Sequence, residues 1–241
     1  KRDKMSKQEK ETKGKINKNI ENKNVDAIFE KEKQRMSTSL EVFNQCIQRA
    51  ENLIQINALT KDVKSLTDIH YSDCYRAAVV LSISALDAYI RKIVVTEILR
   101  IISYNGDINE KLRQYLKELL NQDKLLDAAR HANLNDIVEK AVIEDFEKKS
   151  FQGEWKITTY MELIGHKDVF SEICEKEDKN EKTLKKHINT YTNRRHVIAH
   201  RGDYDFSQSP HKENTIDKKY ATECITEIKF FVETLDKIIT K

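Results

Sequence analysis

At 241 residues the chain is long enough for one domain with a sizeable buried core plus an extension. Charged residues make up 34% but nearly cancel to a net +3, and there are only one proline and five glycines. This composition excludes a polycation that would bind nucleic acid by charge alone, and it argues against a turn-rich β fold. No apolar run approaches the roughly 18 residues that would span a membrane, and no signal-peptide core is visible, so no membrane partner is expected.

In chain order, residues 1–24 hold nine basic and four acidic residues and few apolar ones. They read as a basic, low-complexity extension or linker. Residues 1–36 are assigned to this extension and 37–241 to a helical domain. Lys1 is not an initiator residue, so the numbered chain reads as a fragment or processed form with room for a neighbouring domain. From Val25 to Ile56 the pattern is helical, with Leu40, Phe43, Ile47, Ala50 and Ile54 as one apolar stripe. Ser37, Thr38 and Ser39 offer an N-cap, and Glu41 is placed as the capping-box partner of Thr38. Thr67 to about Ser103 is the most hydrophobic segment and is apolar nearly all round, as a central buried helix is. Asn105, Gly106 and Asp107 end it.

Residues 108–149 read as two or three shorter amphipathic helices, with breaks near Gln122–Asp123 and Asn133. Residues 150–168 look irregular, with a short helix over Lys156 to Ile164. A lysine- and glutamate-rich patch, 175–186, leads into a further helix that Gly202 stops. A polar loop with Pro210 follows. A terminal helix begins near Thr215, with Tyr220, Cys224, Ile228, Phe231 and Leu235 as its stripe. The fold class is therefore all-α, a bundle of about six to eight helices. Cys46, Cys74, Cys174 and Cys224 are far apart, with no C-x-x-C pair. They read as reduced core residues of a cytoplasmic protein.

Chemistry concentrates in Asn193-Arg194-Arg195-His196-Val197-Ile198-Ala199-His200-Arg201. His196 and His200 are four apart and share a helix face. Arg195 and His200 are five apart, about 140° around an ideal helix. Their convergence on one substrate needs a distorted helix end, long side chains, or two copies of the helix facing each other. An arginine that holds a phosphate bidentately, beside an imidazole that exchanges a proton near neutral pH, suits attack of an RNA 2′-hydroxyl on the adjacent phosphate. Such attack leaves a 2′,3′-cyclic phosphate and needs no metal or other cofactor. Taken alone, the stretch is better explained as a basic, solvated helix end, with Arg201 favoured there by the helix dipole.

The stretch from Arg195 to His200 matches the R-x4-H motif of HEPN domains. Ser84-Ala85-Leu86-Asp87-Ala88-Tyr89-Ile90 in the central helix resembles the corresponding helix of the RiboL-PSP-HEPN-like branch. The resemblance covers roughly residues 37–240. It implies a metal-independent endoribonuclease that acts on RNA as a homodimer with a composite active site, serving as a toxin or as an antiphage or abortive-infection effector. It also implies a possible antitoxin or other regulatory partner. In that reading Arg195 binds and polarises phosphate and His200 is the acid/base. His196, Asp87, Asn193, Arg194 and Arg201 are supporting residues. His196 stands where asparagine is commonest, and Asp87 stands where an acidic residue can orient the motif. An acceptor for a basic neighbour explains Asp87 equally well. The tyrosine that some family toxins carry two residues after the histidine is Gly202 here, which puts neutralisation by nucleotidylation in doubt.

Other readings compete. His196 and His200 have the spacing of a zinc pair, but Val197 stands where an H-E-x-x-H site needs glutamate, and no third ligand is evident. The same fold can also be a catalytically silent binding or dimerisation module, a sensor or adaptor of a larger defence protein.

Overall fold

The computed structural model describes residues 39–56, 59–60, 63, 68–103, 106–123, 126, 130, 134–207 and 209–240. The N-terminal extension, the proposed cap at Ser37 and Thr38, and the predicted break at Asn133 lie outside them. The first described helix, α1, covers 39–56 and buries the expected stripe of Phe43, Ile47, Ala50 and Ile54. Next comes α2 (Asp68–Ser103), 36 residues long. Its buried side chains, among them Ala78, Val79, Ile83, Leu86, Ile90 and Val94, point to several sides at once. Such a helix is stable only when neighbours surround it, and they do.

After α2 come α3 (Glu110–Leu119) and α4 (Leu134–Phe146). The break after α3 falls at Leu120 and Asn121, slightly before the predicted Gln122–Asp123. The short helix expected over Lys156 to Ile164 is α5 (Glu154–Leu163), which starts two residues earlier behind Gly153. α6 (Val169–Glu177) occupies part of the charged patch and ends at Asp178, in the left-handed region at φ 48°. The motif helix is α7 (Glu181–Arg201). The polar loop after it contains a small antiparallel hairpin, β1 (Tyr204–Asp205) with β2 (Lys212–Glu213). The terminal helix α8 (Lys218–Ile239) closes the chain.

Helix α2 packs against α4, α5, α7 and α8, so it forms the axis of the bundle. α1 joins the same core, with the Phe43 ring 6.1 Å from that of Tyr89 and Lys229 of α8 donating to Glu51 at 2.7 Å. Asparagine or aspartate precedes four of the described helices, and in three of them its side chain caps the helix. Asn109, Asn180 and Asp217 accept the N–H groups of Leu112, Thr183 and Tyr220, which would otherwise lack partners. No described helix is long and apolar enough to cross a membrane.

Two carboxyl groups are desolvated near the C-terminal half of α2, Glu97 on the helix itself and buried, and Asp236 of α8 half-buried. Asp236 accepts the Tyr89 hydroxyl at 2.9 Å, and Glu97 accepts from Arg100 Nε at 2.7 Å. Burial pushes both carboxyls up, against the Arg100 ion pair at Glu97 and the Tyr89 hydrogen bond at Asp236. A carboxyl that holds its proton more tightly in the folded state stabilises the fold below its unfolded value, about 4.3 for glutamate. That contribution is lost as pH rises through the higher folded value. Glu97→Gln is therefore expected to gain stability relative to wild type as urea melts are moved from about pH 4 to about pH 8. Parallel stability curves for the two proteins would refute this.

Candidate active site

Helix α7 is regular to Arg201, and Gly202 ends it in the left-handed region at φ 58°, its N–H donating to the Val197 carbonyl. A glycine at this position meets the conformation without the Cβ penalty. The helix end is thus undistorted. Arg195, His196 and His200 line a single cleft of about 460 Å³ together with Asp87, Arg91, Lys149, Ser150, Gln152 and Thr192. The His196 and His200 rings lie 4.5 Å apart, tilted by 46°.

The far wall of the cleft is the segment between α4 and α5, and Asp87 holds it. Its Oδ1 accepts the Phe151 N–H at 2.7 Å, and its Oδ2 accepts from Arg91 Nη2 at 3.1 Å. Arg91 in turn donates to the Phe146 and Lys149 carbonyls and lies over the Phe151 ring. The Phe146, Phe151 and Tyr160 rings cluster beneath, with centroids 4.2–5.4 Å apart. Asp87 thus faces the cleft but spends its hydrogen bonds on the opposite wall and on its basic neighbour, not on the motif. Asp87→Ala strands a buried N–H and a guanidinium. It is expected to cost about 1–3 kcal/mol in denaturant melts, and a loss below about 0.5 kcal/mol would show that the wall stands without it.

Charge in the cleft is unevenly committed. Arg91 is paired with Asp87, and Lys149 is paired with Asp145 at 2.5 Å. Arg195 makes no hydrogen bond or ion pair among the described residues, and its Nε is buried without a partner. An isolated buried donor of this kind is costly unless a ligand engages it.

The remaining supporting residues lie elsewhere. Asn193 and Arg201 are exposed and do not line the cleft. Arg194 faces the hairpin. Its Nη2 donates to Asp203 Oδ2 at 2.7 Å and to the Thr215 carbonyl at 2.9 Å, and its guanidinium sits 5.9 Å from the Tyr220 ring. Arg194, expected as a supporting residue, therefore lies outside the cleft and is committed to the hairpin side. A step of about 100° around the helix separates it from Arg195, and a buried carboxylate takes it. Asp203 is fully buried in the left-handed region at φ 65°. It also accepts from Arg76 Nε of α2 at 2.8 Å.

Sequence reasoning missed the Arg76–Asp203–Arg194 cluster and the cleft residues Arg91, Lys149, Gln152 and Thr192. Arg91 lies four residues after Asp87, a spacing that signals a helical ion pair. Nothing local signals Asp203, whose partners are 127 and 9 positions away.

A family model described as RiboL-PSP-HEPN matches residues 44–241. The chain belongs to the RiboL-PSP-HEPN family. Comparison with curated proteins and with solved structures gives no match. The span matched to the RiboL-PSP-HEPN model takes in most of α1 and every later element, so the cleft lies wholly within it. RiboL-PSP-HEPN membership and the all-helical bundle agree with each other, and the family supports an RNA-related or HEPN-module role in general.

Proposed function

We propose that the protein is a metal-independent endoribonuclease whose active site is the Arg195–His196–His200 cleft. The observation that carries the proposal is the state of Arg195. It is the cleft guanidinium that no carboxylate neutralises, and its Nε is buried and unpartnered beside two imidazoles. A phosphodiester supplies what that side chain lacks, two acceptor oxygens in a plane that fits its fork.

In the proposed reaction an imidazole takes the proton of the RNA 2′-hydroxyl, and the 2′ oxygen forms a bond to phosphorus. The bond from phosphorus to the 5′ oxygen breaks, and that oxygen receives a proton. The products are a 2′,3′-cyclic phosphate and a 5′-hydroxyl. His200 is the acid/base, and His196, in ring contact with it, hydrogen-bonds the phosphate or relays the proton. Arg195 stabilises the charge that grows on the phosphoryl oxygens. The family resemblance supports action as a homodimer, with a second copy completing the cleft, and a role as a toxin or antiphage effector held in check by a regulatory partner.

Purified protein is expected to cut single-stranded RNA in excess EDTA and to leave ends that carry a cyclic phosphate. Cleavage only after a divalent metal is restored would sink the mechanism. RNA binding that weakens with salt and yields no cut strand would leave the protein a silent binding module.

A further inference from the structure

A second cavity, of about 580 Å³, lies along the same helix and is lined by Glu154, Asn180, Glu181, Lys182, Lys185, Lys186 and Asn189. Its last residue on α7 is Asn189, and the first α7 residue of the active-site cleft is Thr192, one turn further on. On the opposite wall the two cavities are bordered by Glu154 and Gln152, on either side of Gly153. The divide between them is a saddle. Asn189 accepts the Glu154 N–H at 2.9 Å and donates to Glu154 Oε2 at 3.2 Å. Gly153 crosses at φ 83°, where a Cβ would stand 3.5 Å from Asn189 Oδ1 and 3.7 Å from Thr192 Cγ2. The missing side chain keeps the saddle low.

The spacing along α7 makes the two cavities one path. Lys182, Lys185, Lys186, Asn189, Thr192 and His196 recur every three or four residues on one broad face of the helix, and Arg195 lies at its edge, beyond Thr192. From Lys182 to Arg195 that face runs roughly 20 Å at 1.5 Å per residue. Lys185 is tied to Glu181 at 2.6 Å and to Glu154 at 3.5 Å. Lys182 and Lys186 are exposed and make no ion pair among the described residues. Where the path enters the cleft, the Thr192 hydroxyl is buried without a hydrogen-bond partner.

We propose that this face of α7 is an extended binding groove for single-stranded RNA. In it Lys182 and Lys186 hold phosphates on one side of the scissile bond, and Thr192 contacts the strand as it enters the cleft. The inference rests on the RNA substrate proposed above and adds a substrate class, a strand several nucleotides long. Two open cavities in line along one helix, roughly 20 Å end to end, match the reach of a strand of a few nucleotides. The carboxylates of Glu154 and Glu181 stay with Lys185, which leaves the outer two lysines to the phosphates.

The test separates binding from cleavage. In the full chain carrying His200→Ala, binding of a labelled twelve-nucleotide single-stranded RNA is measured against salt, with and without Lys182→Glu and Lys186→Glu. The double reversal is expected to weaken binding at least tenfold at moderate salt. The milder Lys182→Gln with Lys186→Gln guards against misfolding. It is expected to lower the slope of log affinity against log salt by about 1.4, two phosphates at roughly 0.7 each for a single strand. In the otherwise wild-type chain, either pair is expected to raise KM for the twelve-nucleotide RNA and leave kcat/KM for a dinucleotide unchanged. An unchanged salt slope, no binding of the long RNA, or an equal loss on both substrates overturns the groove. Failure of the wild-type chain to cut either RNA overturns the ribonuclease reading instead, and the binding arm still decides the groove.

Discussion

His200→Ala is expected to lower the rate of RNA cleavage by roughly 10²–10⁴-fold, the usual contribution of a positioned acid or base, while leaving the fold intact. The imidazole is exposed at the cleft rim, and its contact is the ring of His196. Nothing in the core leans on it, so melts of variant and wild type should agree within about 0.5 kcal/mol. Arg195 tests the other half of the chemistry. Arg195→Ala should cost roughly 10²–10³-fold through lost stabilisation of the phosphoryl charge. Arg195→Lys should recover only a small part, because a point charge cannot hold two oxygens at once. Cleavage by His200→Ala within tenfold of wild type, or full activity in Arg195→Lys, would remove these residues from the reaction.

The largest effect on stability is expected one turn beyond the motif. Asp203 is fully buried and accepts from Arg76 and Arg194 on the same carboxylate oxygen, at 2.8 and 2.7 Å. Arg76 is itself buried and also reaches Ser72, Asp73, Glu213 and the Asn214 carbonyl. Removing the central anion takes from Arg194 its carboxylate partner and from Arg76 the one buried carboxylate among its three. Asp203→Ala should therefore cost about 3–5 kcal/mol. At roughly 2–4 °C per kcal/mol for a chain of this size, that is a fall in Tm of about 10 °C. Asparagine tolerates the left-handed backbone that residue 203 adopts, so Asp203→Asn isolates the charge from the conformation. Most of the loss should persist in that variant. A loss under about 1 kcal/mol in urea melts of Asp203→Ala would mean that the two arginines find other partners.

The parts of the molecule visible in its sequence are those governed by near neighbours. The stripes of α1 and α8, the all-round apolarity of α2 and the stop at Gly202 follow from helical spacing and local backbone preference. They are where the sequence places them. The meeting of His196 with His200 is local for the same reason. The opposite assignments of Arg194 and Arg195 were out of reach. Which adjacent arginine faces the cleft depends on a carboxylate nine positions later and an arginine more than a hundred positions earlier. Asp87 was legible as an acceptor for a basic neighbour, which is Arg91, but its hold on the opposite wall was not. Its acceptors are used by Phe151, Gln152 and Arg91, and two of those lie across a loop that pattern alone leaves irregular. The hairpin after α7 escaped notice because two-residue strands carry no alternation to read.

The neighbouring arginines also determine how the protein can be broken. A random library screened for loss of RNA cleavage should yield inactive variants of two physical kinds from adjacent codons. Changes at Arg195 should give abundant, well-folded, inert protein. Changes at Arg194, like those at Asp203 and Arg76, should give protein that is depleted before it is assayed, because its defect is in reaching the native state. A single codon step in the gene thus divides a chemical lesion from a folding lesion, and the soluble yield of each variant distinguishes them without any measurement of activity.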